Sequence, residues 1–93
     1  MKYKIILTSM FKKELKVIKK RNKKLEKLKE VVNTLASGDK LEAKYVDHSL
    51  TNSKRFKNCR ECHIEPDWLL VYKINEDELY LLLVETGSHS DLF

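Results

Sequence analysis

Lys2-Tyr3-Lys4-Ile5-Ile6-Leu7-Thr8 alternates polar and apolar residues and then turns apolar, which predicts a β-strand at the start of the chain. Ser9 is placed to cap a following helix, although Lys12 denies it the Glu or Gln of a capping box. Phe11, Leu15 and Ile18 recur at i, i+4 and i+7, and Lys12, Lys13, Lys16, Lys19 and Lys20 occupy the rest of that helix. Arg21-Asn22 predicts a break. Leu25, Leu28, Val32 and Leu35 then form a second stripe, and Gly38 supplies its stop. Two amphipathic helices in succession predict a hairpin whose apolar side must cover something.

The cover is expected from the second half. Lys57–Glu65 reads as a strand and Pro66-Asp67 as a turn. Trp68–Ile74 reads as a strand with Trp68, Leu70, Tyr72 and Ile74 on one face. Asn75–Glu78 is the next turn, and Leu79–Val84 is apolar on both faces, which predicts a central position. Asp47–Phe56 reads as a polar, basic loop. The predicted fold class is α+β, with an N-terminal strand and a two-helix hairpin packed on one face of a small, mainly antiparallel sheet. A length of 93 residues predicts one domain, 1–93.

Composition narrows the classes. Hydrophobic residues make up 42% and charged ones 35%, and two Gly with one Pro exclude a collagenous or low-complexity chain. No apolar run approaches the roughly 20 residues needed to cross a bilayer, and no signal-like segment opens the sequence. Two cysteines are too few for a disulfide framework. A reduced, cytoplasmic protein with no membrane association is therefore expected. The charge is unevenly placed. Residues 1–46 hold 14 Lys and Arg against five Asp and Glu, whereas residues 47–93 hold five against nine. Lys12–Lys29 alone carries ten basic residues and two acidic ones, a density that suits a polyanion or an acidic protein, or simply a solvated helix face.

All three histidines lie in the acidic half, each near a carboxylate: His48 beside Asp47, His63 close to Glu65 and Asp67, and His89 before Asp91. Imidazole titrates near neutrality, so these are the natural proton carriers of the chain. Cys59-Arg60-Glu61-Cys62-His63 has the outline of a haem-attachment or half-zinc motif. On an extended strand, however, Cys59 and Cys62 point to opposite faces, and no second Cys pair exists. Neither a metal nor a cofactor is expected. A Gly-rich phosphate loop and a G-x-S-x-G elbow are absent, since Gly38 and Gly87 are the only glycines. Phe93, an apolar group at the end of the chain, is hard to explain as packing.

Three blocks carry a resemblance: Tyr45-Val46-Asp47-His48-Ser49-Leu50, then Arg60-Glu61-Cys62-His63-Ile64-Glu65-Pro66-Asp67-Trp68-Leu69-Leu70-Val71-Tyr72, then Thr86-Gly87-Ser88-His89-Ser90-Asp91-Leu92-Phe93. Together they resemble the YafQ family, toxins of bacterial type II toxin–antitoxin modules within the RelE superfamily. The resemblance implies a RelE-like fold and a ribosome-dependent endoribonuclease that cleaves mRNA in the A site. It implies a cognate antitoxin, the ribosome and mRNA as partners, with the toxin monomeric alone and hetero-oligomeric with its antitoxin. Carried over residue by residue, it implies catalytic roles for His48, His63, Asp67 and His89. Trp68 and Phe93 match positions tied to site shape or substrate placement, and Arg60 a basic residue on the same strand. In the loop after Leu50, the family's usual Gly and Trp are replaced by Thr51-Asn52-Ser53-Lys54-Arg55-Phe56, and Asn52 and Asn58 are expected to stand in for glycine.

Such an enzyme uses the ribose 2′-hydroxyl as nucleophile, so the protein supplies a base, an acid and positive charge. His89 is the expected acid and Asp67 or His63 the expected base, with His48 a second acid/base or phosphate contact. Lys16, Lys20, Lys23 and Lys27 are expected to form the surface that meets ribosomal RNA or antitoxin. Two other readings are a catalytically inactive RNA- or antitoxin-binding module of the same fold and a basic DNA-binding domain. The first has no need of four proton-handling positions, and the second lacks a recognition helix.

Overall fold

The apolar residues find their cover in a five-stranded sheet, in a computed structural model that describes Met1–Phe93. Strand β1 spans Lys4–Leu7, and helices α1 (Ser9–Lys20) and α2 (Leu25–Ala36) follow. A 3₁₀ turn at Ala43–Tyr45 leads into a two-residue strand β2 (His48–Ser49). Strands β3 (Arg60–Glu65), β4 (Trp68–Asn75) and β5 (Tyr80–Gly87) form a meander, and a short helix α3 (His89–Leu92) ends the chain. The spatial order is β1-β5-β4-β3-β2, with only the β1–β5 pair parallel. No helix is long and apolar enough to cross a membrane.

Helix α1 starts one residue earlier than expected. Thr8 is its N-cap: an extended backbone (φ −73°, ψ 159°) lets the hydroxyl accept the Phe11 N–H at 3.0 Å and donate to the Val84 carbonyl at 2.6 Å. One side chain thus starts the helix and ties it to β5. Asn22, at φ 56°, makes the break between the helices. After α2, Gly38 at φ 82° donates to the Leu35 carbonyl and Asp39 to that of Thr34, a Schellman ending.

The main core joins Phe11 and Ile18 of α1 and Leu28, Val31, Val32 and Leu35 of α2 to Cys62, Trp68, Leu70, Tyr72, Leu81 and Leu83 of the sheet. Leu15, Leu25 and Ile74 pack on it half-buried, so both stripes and the predicted face of β4 point inward. Leu79–Val84 was expected to be central; the strand instead runs Tyr80–Gly87, because Leu79 adopts φ 55° in the turn. It lies between β1 and β4. The middle strand is β4, and Trp68–Tyr72 is buried on both sides.

The second face of β4 has a small core of its own, formed by Leu69 and Val71 with Phe56, Cys59 and Leu92. Three expectations are corrected around it. The segment before Arg60 is not strand but turns through Asn58 at φ 62°, while Asn52 has no positive φ. Asp47–Phe56 is not wholly loop, since His48 and Ser49 pair with Glu61 and Arg60.

Candidate active site

His48, His63 and His89 come from β2, β3 and the start of α3, and the fold lines them up. Their ring centroids lie 6.4 Å apart for His48–His63 and 5.6 Å for His63–His89. Pairing of β2 with β3 sets His48 opposite Glu61, two residues from His63 and on the same face of that strand. The hairpin turn at Pro66-Asp67 and the register of Leu69 against Gly87 bring Asp67 under the first residue of α3.

Each ring is tethered through Nδ1. His48 Nδ1 lies 2.7 Å from the Val46 carbonyl oxygen and His63 Nδ1 3.3 Å from that of Pro66. A carbonyl only accepts, so Nδ1 carries the proton in both. His89 donates its backbone N–H (3.0 Å) and Nδ1 (2.7 Å) to one oxygen of Asp67. These two bonds, the backbone one foremost, hold the Asp67 carboxyl below its usual range. An ionised Asp67 fixes the His89 tautomer and leaves Nε2 as the outward nitrogen.

Glu61 is the residue that sequence reasoning missed. It is buried, and its Oε1 lies 3.6 Å from His48 Nε2 and 3.5 Å from His63 Nε2. Its signal was present: a charged residue in mid-strand, two positions from a histidine, shares that histidine's face. Its burial, which makes it notable, is decided only by the neighbouring strands.

The turn bearing His89 is held by its own sequence. Ser88 caps α3 and forms a capping box with Asp91, at 2.8 and 3.2 Å. Arg21 grips both Asp91 oxygens at 2.6 and 3.2 Å and, with the Ser88 N–H, holds that carboxyl well below the usual range. A Cβ on Gly87 would lie 2.9 Å from that of Asp91, so only glycine lets the chain turn this closely.

Other expected site residues lie elsewhere. Trp68 is fully buried and donates from Nε1 to the Thr86 hydroxyl at 3.0 Å, so it shapes the site from beneath and cannot touch a substrate. Arg60 is bound to Asp47 (3.3 Å) and Ser49 (2.9 Å), and Tyr72 donates to the same Asp47 oxygen. That cluster fixes the residue before His48 instead of presenting a free cation. Phe93 is 62% exposed, with its ring edge-on to Phe56 at 5.5 Å. Lys16 and Lys20 lie exposed on α1, while Lys23 and Lys27 reach Glu65 at 3.2 and 2.9 Å, beside the histidine row. A groove of about 560 Å³ runs along His63 between Lys27 and Lys44, and one of about 320 Å³ borders Asp67 between Lys23 and Ser90. A cavity of about 590 Å³ at Asp47, Arg60 and Tyr72 holds none of the histidines.

No three His, Cys, Asp or Glu side chains are grouped so as to hold a metal ion. Cys59 and Cys62 sit in different cores, on opposite faces of the sheet, and burial pushes the Cys62 thiol up to about 12.

Fold and site together define a small α+β protein that presents three imidazoles, each tethered at Nδ1, in one row. The chain belongs to the YafQ family: residues 3–93 match the model of the bacterial toxin of type II toxin–antitoxin systems, YafQ. It is 40% identical over 87 residues to the mRNA interferase toxin YafQ of Escherichia coli B/BL21-DE3, covering 92% of this chain and 90% of that protein. Its fold is similar to that of a metal-bound toxin from Helicobacter pylori (TM-score 0.90, 44% identity, 98% and 99% coverage of the two chains). It is also similar to the crystal structure of the E. coli DinJ–YafQ complex (TM-score 0.87, 37% identity, 98% of each chain).

Proposed function

We propose that this toxin is a ribosome-dependent endoribonuclease that cleaves mRNA in the A site, without metal, using the RNA 2′-hydroxyl as nucleophile. The observation that carries this reading is the row of three imidazoles, each tethered at Nδ1, one of them against an ionised carboxylate. The name mRNA interferase, borne by relatives 40% and 39% identical, supports the substrate.

His63 takes the 2′-hydroxyl proton through Nε2, the 2′-oxygen attacks phosphorus, and the bond to the 5′-oxygen breaks. His89 gives its Nε2 proton to that leaving oxygen, while Asp67 stabilises the imidazolium beforehand. Asp67, held ionised by its two hydrogen bonds, is a weak base, so the proton-accepting role falls to His63. His48 is the second acid/base or phosphate contact. Arg60 is tied to Asp47 and Ser49, and Lys23 and Lys27 share Glu65, so the charge at the phosphorane comes from His48, joined by Lys23 or Lys27 once the RNA phosphate draws one of them from Glu65. The products are a 2′,3′-cyclic phosphate, which can open to a 3′-phosphate, and a 5′-hydroxyl.

The ribosome supplies orientation that a site this open lacks, and preorganisation accounts for much of a rate enhancement. Action in the cytoplasm follows from that substrate. The DinJ–YafQ complexes support a cognate antitoxin as partner and a hetero-oligomer as the restrained state.

Incubation with translating ribosomes and mapping of the cut ends tests the reading. Ribosome-bound message should be cut far faster than free RNA at physiological salt. With ribosome integrity controlled, cutting should persist in EDTA and leave a cyclic or 3′-phosphate. Equal cleavage of naked RNA would remove the ribosome dependence, and a 3′-hydroxyl product would remove the 2′-hydroxyl mechanism.

A further inference from the structure

The loop after Leu50 reaches the end of the chain that carries His89. Arg55 donates from Nη1 to the Leu92 carbonyl at 2.9 Å and from Nη2 to Glu85 Oε1 at 2.7 Å. Its guanidinium carbon lies 4.9 Å from the centre of the Phe56 ring, and Phe56 meets Phe93 edge-on. Glu85 and Leu92 are both buried, 4% and 1% exposed. The fork of one arginine therefore neutralises a buried carboxylate and satisfies a helix-terminal carbonyl at once, which a lysine cannot do with the same geometry.

Helix α3 needs such a hold. Four residues are far below the length at which a helix is stable alone, because nucleation costs more than one turn returns. Asp67 and Arg21 hold its first turn through His89 and Asp91. Arg55 and Phe56 hold its last residues, from the opposite face of the sheet.

We infer that Arg55 is a positioning residue: it fixes the C-terminal end of α3, and so sets where His89 and Phe93 meet the RNA. The inference rests on the proposed catalytic role of His89, but the clamp itself can be read without catalysis. Misplacing a catalytic group by about 1 Å can cost a hundredfold in rate. In the full-length protein, Arg55→Ala should therefore lower kcat on ribosome-bound message by about tenfold or more, with KM changed less than about twofold.

Amide order parameters at Leu92 and Phe93 should fall from about 0.85 to below about 0.6, while those of β4 stay unchanged. Because the residue acts through its neighbour, Arg55→Ala should cost little more once His89 is already alanine. Full multiplicative loss in that double variant would overturn the positioning role, as would unchanged order at Leu92 and Phe93. A His89→Ala protein that cleaves at the wild-type rate would instead overturn the catalytic reading, and the order parameters would still decide the clamp. Should Arg55→Ala not fold, Arg55→Lys carries the same test, since it keeps a charge for Glu85 but cannot span both acceptors.

Discussion

One oxygen of Asp67 accepts both the backbone N–H and the Nδ1–H of His89, so carboxylate and imidazole act as a unit. His89 is exposed and outside both cores, hence removable without collapse. His89→Ala should lower cleavage by about a hundredfold or more, the usual worth of a general acid, with circular dichroism and antitoxin binding intact. Asp67→Asn keeps the shape and removes the charge, and should cost about tenfold or more for the same reason. Wild-type cleavage by His89→Ala on the ribosome would move the acid to His48 or His63. The residue types were legible here: three histidines each near a carboxylate. Their pairing was not, since His89 lies two positions from Asp91 in sequence yet binds Asp67, while Asp91 binds Arg21.

Between elements, two sets of acids respond to pH in opposite directions. Asp67 and Asp91 hold α3 and have depressed carboxyls, so their contribution is present above the unfolded value near 3.8 and is lost as pH falls below it. Glu14 of α1 behaves the other way. It accepts the Thr86 N–H at 3.0 Å, and burial, with the neighbouring Glu85 carboxyl, pushes it up to about 8. The folded state retains a proton that the unfolded chain releases near 4.5, so stability should fall as pH rises from about 4.5 to about 8. Glu14→Gln keeps the acceptor for Thr86 and lacks the titration. Its urea midpoint should therefore lack the part of the decline across that window that the native protein owes to Glu14. Parallel profiles for the two proteins would dispose of this account. Packing also explains what was misread at this scale. β2 and α3 are too short to show a period, and both exist because β3, Asp67 and Arg55 hold them.

For the whole molecule, the basic half gathers on the helix hairpin and the acidic half supplies four of the five strands of the sheet. Lys16 and Lys20 make no ion pair, whereas Lys23 and Lys27 lean on Glu65 beside the site. An acidic antitoxin segment should associate more slowly as salt rises, with dissociation much less affected. Charge reversal at Lys16 and Lys20 should slow association several-fold by removing steering alone, while reversal at Lys23 and Lys27 also sets two acids against Glu65. Binding kinetics by surface plasmon resonance across ionic strength checks both, and rates indifferent to salt would sink the electrostatic account.

Local periodicity determined the helix hairpin, the inward face of Trp68, Leu70, Tyr72 and Ile74, and the stop at Gly38, because each depends on residues a turn or a strand apart. Cys59 and Cys62 do lie on opposite faces, although the strand whose alternation predicted it begins only at Arg60. The resemblance of three sequence blocks brought the site residues into view without saying how they meet. Only the tertiary structure decided that Arg60 serves Asp47, that Trp68 lies beneath the site, that Glu61 is buried between two imidazoles, and that Arg55 holds the chain's last turn. These outcomes turn on strand order and on contacts between residues distant in sequence, and no short-range pattern encodes which distant partner a charged side chain will reach.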